Sequence, residues 1–241
     1  MTDIPILFSP PMVQALLAGR KTQTRRLLNP QPIEPVTPPL ISFNHGRAEY
    51  SLGPKDRKAN GDLLFRRLPI FGDRLWVRET WHAESWYDRH PAKERPRVIS
   101  EFRQPKVWYP AGYMMETPSR WRLTMMSALD LDAQWSKGVQ RPGIHMPRWA
   151  SRLTLIVQDV RFQRLQDLTE ADAEAEGIVR FTDIDHLAVG SCTPSCEHHN
   201  YVDGYRCLWN RINEDAGKRF VDNPWIYAVT FKVDQRNIDS S

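Results

Sequence analysis

A chain of 241 residues with 41% apolar and 26% charged residues has the material for a folded core, which excludes a globally disordered polymer. Its 33 basic and 29 acidic residues leave a net charge of +4, too small to specify a polyanionic partner, so the placement of charge matters more than its sum. No run approaches the roughly 18 consecutive apolar residues of a membrane span, so no membrane association is expected.

Residues 6–17 read as a short strand and then a helix opened by Pro10-Pro11, with Met12, Val13, Leu16 and Leu17 on its apolar face. Gly19 supplies the stop, because glycine takes the left-handed conformation without a Cβ clash. The segment Arg20-Lys21-Thr22-Gln23-Thr24-Arg25-Arg26 leaves the helix as an extended or looped stretch with four cations and no acid. Closely spaced prolines at 30, 32, 35, 38 and 39 mark residues 28–70 as an irregular excursion.

Gly72-Asp73 turns into a strand in which Leu75, Val77 and Glu79 alternate with Trp76, Arg78 and Thr80. Residues 82–144 carry no sustained period and read as an aromatic-rich insertion. The pattern resumes with Met146-Pro147-Arg148-Trp149-Ala150-Ser151, followed by a half-buried strand in which Leu153, Leu155 and Val157 share a face. Thr169, with Asp172 three residues on, caps a short acidic helix that Gly177 ends. After a third excursion at 180–201, a helix is expected around Tyr205 to Ile212, and Pro224 opens a closing strand from Trp225 to Phe231. Short strands, few helices and long connections predict one α+β domain over residues 1–241, built on a small barrel or strongly curved sheet.

Four features carry candidate chemistry. Lys21 sits among Arg20, Arg25 and Arg26, where like charge favours the neutral amine, a base able to take a proton from the hydroxyl of Thr22 or Thr24. The alternative is a solvated cationic turn. Glu176 closes its helix at the end where the macrodipole disfavours a carboxylate by about 0.3–1 kcal/mol, so it is either a surface glutamate or one compensated by a cation from the Lys21 cluster. Arg148, Trp149 and Arg152 set cations beside an indole, which suits either base stacking with phosphate contact or a core tryptophan with flanking arginines.

The last feature is Cys192, Cys196, His198 and His199, spaced Cys-x-x-x-Cys-x-His-His. Their ligand types suit zinc, but structural zinc sites draw ligand pairs from two separated segments, so a polar loop is the first reading and zinc the alternative. The remaining cysteine is Cys207, and three cysteines in one short segment argue against a disulfide framework. A cytoplasmic protein is expected.

The stretch Leu17-Ala18-Gly19-Arg20-Lys21-Thr22-Gln23-Thr24-Arg25 resembles the opening motif of the ASCH domain family. Gly72 to Arg78 resembles its next block, Leu168 to Gly177 its acidic helix, and Pro224 to Phe231 its closing strand. The segment Ile144 to Arg152 is similar to a pattern of the longer phage or prophage members. The resemblance implies a PUA-like β-barrel with insertions at about 28–70, 82–144 and 180–201, whose relatives bind RNA. It further implies kinship with small bacterial enzymes that hydrolyse N4-acetylcytidine to cytidine and acetate through a lysine, a threonine and a glutamate, here Lys21, Thr24 and Glu176. On that reading the protein is an amidohydrolase that needs no metal or other cofactor, with Arg20, Arg25, Arg148, Trp149 and Arg152 disposed to bind substrate. The alternative is an RNA-binding or RNA-cleaving module without that activity, so the expected partner is a modified nucleoside or RNA.

Overall fold

The computed structural model describes residues 1–29, 31, 40–44, 47–51, 66–90, 94–95, 107–116, 137–179 and 200–240. Cys192, Cys196, His198 and His199 lie outside them, as do most of the excursion at 180–201 and parts of the other two. The architecture is mixed α+β. The strands are β1 (Asp3–Leu7), β2 (Gln23–Leu27), β3 (Leu40–Asn44), β4 (Arg47–Ser51), β5 (Arg66–Leu68) and β6 (Arg74–Arg78). They continue as β7 (Trp81–Glu84), β8 (Val107–Tyr109), β9 (Gly112–Glu116), β10 (Lys137–Arg141), β11 (Thr154–Arg164) and β12 (Trp225–Asp234). Among the described residues four α-helices accompany them: α1 (Pro10–Leu17), α2 (Ser85–Asp88), α3 (Glu170–Ala175) and α4 (Tyr201–Ile212).

A five-stranded sheet has the order β1-β6-β11-β12-β2, a four-stranded sheet the order β10-β7-β8-β9, and a three-stranded sheet the order β3-β4-β5. Among the described residues no sheet closes on itself, β1 and β2 being the two ends of the largest. The excursion at 28–70, expected to be irregular, contains the antiparallel β3-β4-β5 sheet, with Leu40 opposite Ser51 and Ala48 opposite Leu68. Its prolines at 30, 32, 35, 38 and 39 all precede the first of those strands in sequence, so none of them removes a ladder donor from it. No helix among the described residues is long and apolar enough to cross a membrane.

The chain forms two compact units, one of residues 1–4, 15–74 and 155–233 and the other of 5–14, 75–154 and 234–241. In the first, β12 sorts its side chains by strand alternation. Ile226 and Ala228 enter a cluster with Leu165, Leu168, Ala173, Ile178, Tyr205 and Trp209, which binds α3 and α4 to the sheet. Trp225 and Tyr227 pack with Leu28, Leu68 and Phe162 in a separate cluster.

The second unit is built around Trp81, Tyr87, Val107, Tyr109, Met146 and Ala150, with Trp86 and Trp149 packed at the edge. Alternation buries Leu75, Val77 and Glu79 together, which would strand a carboxylate in an apolar layer. Arg152 resolves this with a bidentate pair, Nε at 2.9 Å and Nη2 at 3.1 Å from the two Glu79 oxygens. Its guanidinium also lies 4.1 Å from the centroid of the Tyr109 ring.

Candidate active site

The site grows out of two helix ends in the first unit. Gly19, at φ +71°, ends α1, and the backbone N–H groups of Arg20 and Lys21 then both donate to the Ala15 carbonyl. This turns the Lys21 side chain inward, where it is fully buried, before β2 starts and pairs with β12, Thr24 opposite Val229 and Arg25 opposite Ala228. The second end belongs to α3, whose N-terminus is closed by a capping box between Thr169 and Asp172. Its last carbonyl, that of Ala175, accepts from the Thr22 N–H at 2.8 Å, which pins the helix terminus to the entry of β2.

Gly177 makes that approach feasible. Its φ is +88°, and a Cβ there would lie 2.9 Å from the Ala15 Cβ and 3.1 Å from the Lys21 Cβ. Gly177→Ala combines a left-handed cost of about 1–2 kcal/mol with crowding of about 1–3 kcal/mol. A loss of about 2–4 kcal/mol in unfolding free energy is therefore expected by urea titration; a loss below about 0.5 kcal/mol would mean the close approach is absent.

Glu176 stands between these ends. Lys21 Nζ donates to its Oε2 at 2.5 Å and to its backbone carbonyl at 2.9 Å, and Arg25 Nη1 donates to its Oε1 at 3.3 Å. A carboxylate at the unfavourable end of a helix thus faces two cations whose side chains are 0% exposed. The chain of charges continues outward. Arg25 Nη2 is 3.1 Å from Asp172 Oδ2 without hydrogen-bond alignment, and Asp172 Oδ1 accepts from Arg161 at 2.9 Å.

Burial holds the Lys21 ammonium below its ordinary pKa against the opposing pull of Glu176, and the nearby charges of Arg26 and Arg25 add to the lowering. Burial alone would raise Asp172, but the Arg161 hydrogen bond, the Arg25 charge and the Thr169 contacts outweigh it and bring the pKa to about 2. A carboxyl depressed from 3.8 adds stability that is fully present above that value and is lost as pH falls toward 2. Unfolding free energy should therefore drop between about pH 4 and pH 2, and Asp172→Asn should flatten the drop; parallel curves for the two proteins would remove Asp172 from the account.

The other residues singled out in the sequence are placed differently. Thr24 is buried at 3% exposure, and strand alternation puts it with Arg26 on the face of β2 opposite Arg25. Among the described residues no hydrogen bond joins its hydroxyl to Lys21 or Glu176, so direct contact unites two of the three expected reactive groups. Arg20 is exposed.

Arg148, Trp149 and Arg152 belong to the second unit. Arg148 pairs with Asp239 at 2.7 Å, and Trp149 meets Trp81 edge to face at 6.0 Å, while Arg152 is committed to Glu79. Among the described residues no group of three or more His, Cys, Asp or Glu is arranged to hold a metal. Two members of the Glu176 surroundings, Asp172 and Tyr205, carried no site signal in the sequence beyond capping and helix periodicity. No family model, curated protein or solved structure matches the chain.

Proposed function

We propose that this protein is an ASCH-type amidohydrolase, with its five-stranded sheet serving as the core of a PUA-like fold, that releases cytidine from N4-acylated cytidine in the cytoplasm. The observation that carries the reading is the buried Lys21–Glu176 contact at 2.5 Å, a pair in which desolvation eases loss of the lysine proton. In the proposed cycle the Thr24 hydroxyl oxygen attacks the exocyclic amide carbonyl while the Lys21 amine takes its proton. Glu176 orients Lys21 and relays the proton to the cytosine nitrogen as the carbon–nitrogen bond breaks, leaving an acyl ester on Thr24. Water, deprotonated by the same lysine, then cleaves the ester to acetate and restores the hydroxyl.

The test is cytidine release from N4-acetylcytidine by wild type and by Thr24→Ala, Lys21→Ala and Glu176→Ala proteins checked for folding. Turnover that persists in Thr24→Ala would replace the acyl-threonine by direct attack of water. Absence of turnover by folded wild type, with larger N4-acyl groups also tried, would move the assignment to an RNA-binding module.

A further inference from the structure

We propose that Asp172 is a positioning residue of this site, holding the Arg25 guanidinium so that the Glu176 carboxylate is left to Lys21. The inference rests on the reading of Lys21 as the base and adds a residue that the reaction scheme does not use.

Charge balance is the first ground. Lys21 and Arg25 bring together two cations with fully buried side chains, and Glu176 offers them a single negative charge. A guanidinium does not shed its proton, so Arg25 draws on an anion at every working pH. With Glu176 as its sole partner it would compete with Lys21 for one carboxylate. Asp172 supplies the second charge, its Oδ2 lying 3.1 Å from Arg25 Nη2 while Nη1 donates to Glu176 Oε1 at 3.3 Å. The other Glu176 oxygen, Oε2, is thereby kept for Lys21 Nζ at 2.5 Å.

Local structure fixes Asp172 for this task. It stands four residues before Glu176, one turn earlier on α3, so both carboxylates lie on the helix side that meets Arg25. Its own oxygens are held from outside that contact, Oδ1 accepting from Arg161 Nη2 at 2.9 Å and Oδ2 from the Thr169 N–H at 3.4 Å. A pKa of about 2 keeps Asp172 ionised throughout the range in which Lys21 titrates. The charged and titratable groups around Lys21 and Arg25 are Glu176 at the end of α3, Asp172 within it, Arg26 on β2 and Tyr205 on α4. The Tyr205 ring lies 5.9 Å from the Arg25 guanidinium, and burial keeps its phenol protonated well above the ordinary tyrosine range. If Asp172 served only the capping box, an amide would do as well, since its oxygen accepts from the Thr169 N–H as a carboxylate oxygen does.

The experiment is a 13C NMR titration of the Lys21 side chain in lysine-labelled protein, assigned by its disappearance in Lys21→Met, for wild type and Asp172→Asn. The amide keeps the cap and removes the charge. Arg25 then draws Glu176 away from Lys21, and with less negative charge nearby the Lys21 pKa is expected to fall by about 0.5–1 unit. On N4-acetylcytidine the rising limb of the kcat profile should move down in pH by the same amount with little change in KM. A Lys21 titration that is unchanged or moves up in folded Asp172→Asn would overturn the proposal. Should that variant fail to fold, the Arg25 guanidinium of wild type decides, in 15N spectra assigned by Arg25→Lys. Carboxylates on both Nη atoms hinder its rotation, so separate Nη signals are expected at a temperature where exposed arginines show one averaged signal; an averaged Arg25 signal would equally overturn it. Neither NMR reading needs substrate, so this proposal and the hydrolysis of acylated cytidine can fail separately.

Discussion

Glu176→Ala is expected to lower the unfolding free energy by about 3–5 kcal/mol, the usual cost of removing one partner from a buried ion pair. The carboxylate answers two cations with 0% exposed side chains, one at 2.5 Å and the other at 3.3 Å, so its removal strands both at once. Their fates differ. Lys21 loses the main influence holding its pKa up, and with burial unopposed it can shed its proton and stay inside neutral. Arg25 has no such escape, since a guanidinium stays charged, and it must rely on Asp172 at 3.1 Å. Glu176→Gln, which retains a carbonyl acceptor for one of the donors, should cost less than the alanine variant. Urea titrations of the three proteins at neutral pH measure this, with the slope m unchanged if the unfolded state is unaffected. A loss under about 1 kcal/mol for Glu176→Ala would show that water already screens the pair, as it does for surface salt bridges.

What the sequence made legible was local. The Thr169–Asp172 box, the Gly19 and Gly177 stops and the aromatic and β-branched strand that Pro224 opens each depend on neighbours a few residues away, and each stands in the structure where the residues put it. The segment 20–26 was legible only in part. Four cations within seven residues and no acid look like a solvated loop, yet Lys21 and Arg25 are buried and residues 23–27 form a strand. The reason is that their partner, Glu176, lies 155 residues from Lys21 and 151 from Arg25: its place at the unfavourable end of a helix called for a cation, but nothing within the run itself marks which of its cations turn inward. The same distance effect governs Arg152. Beside Trp149 it reads as part of a base-stacking platform, but Glu79, 73 residues earlier, claims both edges of its guanidinium. Glu79 itself gave the better clue, as an acid on the same strand face as Leu75 and Val77 that had to be met by a buried cation.

Strand periodicity in 82–84 and 107–116 was hidden for another reason. The β7-β8-β9 strands are three to five residues long, too short to sustain a period, and β7 is buried at all four positions rather than at alternate ones.

Lys21→Met separates what the site does for stability from what it does for chemistry. Methionine fills much of the volume of the lysine stem without a charge, and Glu176 keeps Arg25 as its counter-ion. The variant therefore avoids the desolvation cost of the ammonium, and its stability should be unchanged or higher by up to about 2 kcal/mol. The proposed base is gone, however, and cytidine release from N4-acetylcytidine should fall by about 10²–10⁴-fold. Lys21→Arg should be equally inactive although it retains the charge, because a guanidinium does not give up its proton in the working range. In wild type the active form of the base is the neutral amine, so the rate should climb with pH through a lysine pKa set below 10.5 by burial. A Lys21→Met protein that is stable and inactive assigns the lysine to chemistry. One that is stable and retains wild-type turnover would leave the buried pair a purely structural device, and the base would have to be sought elsewhere.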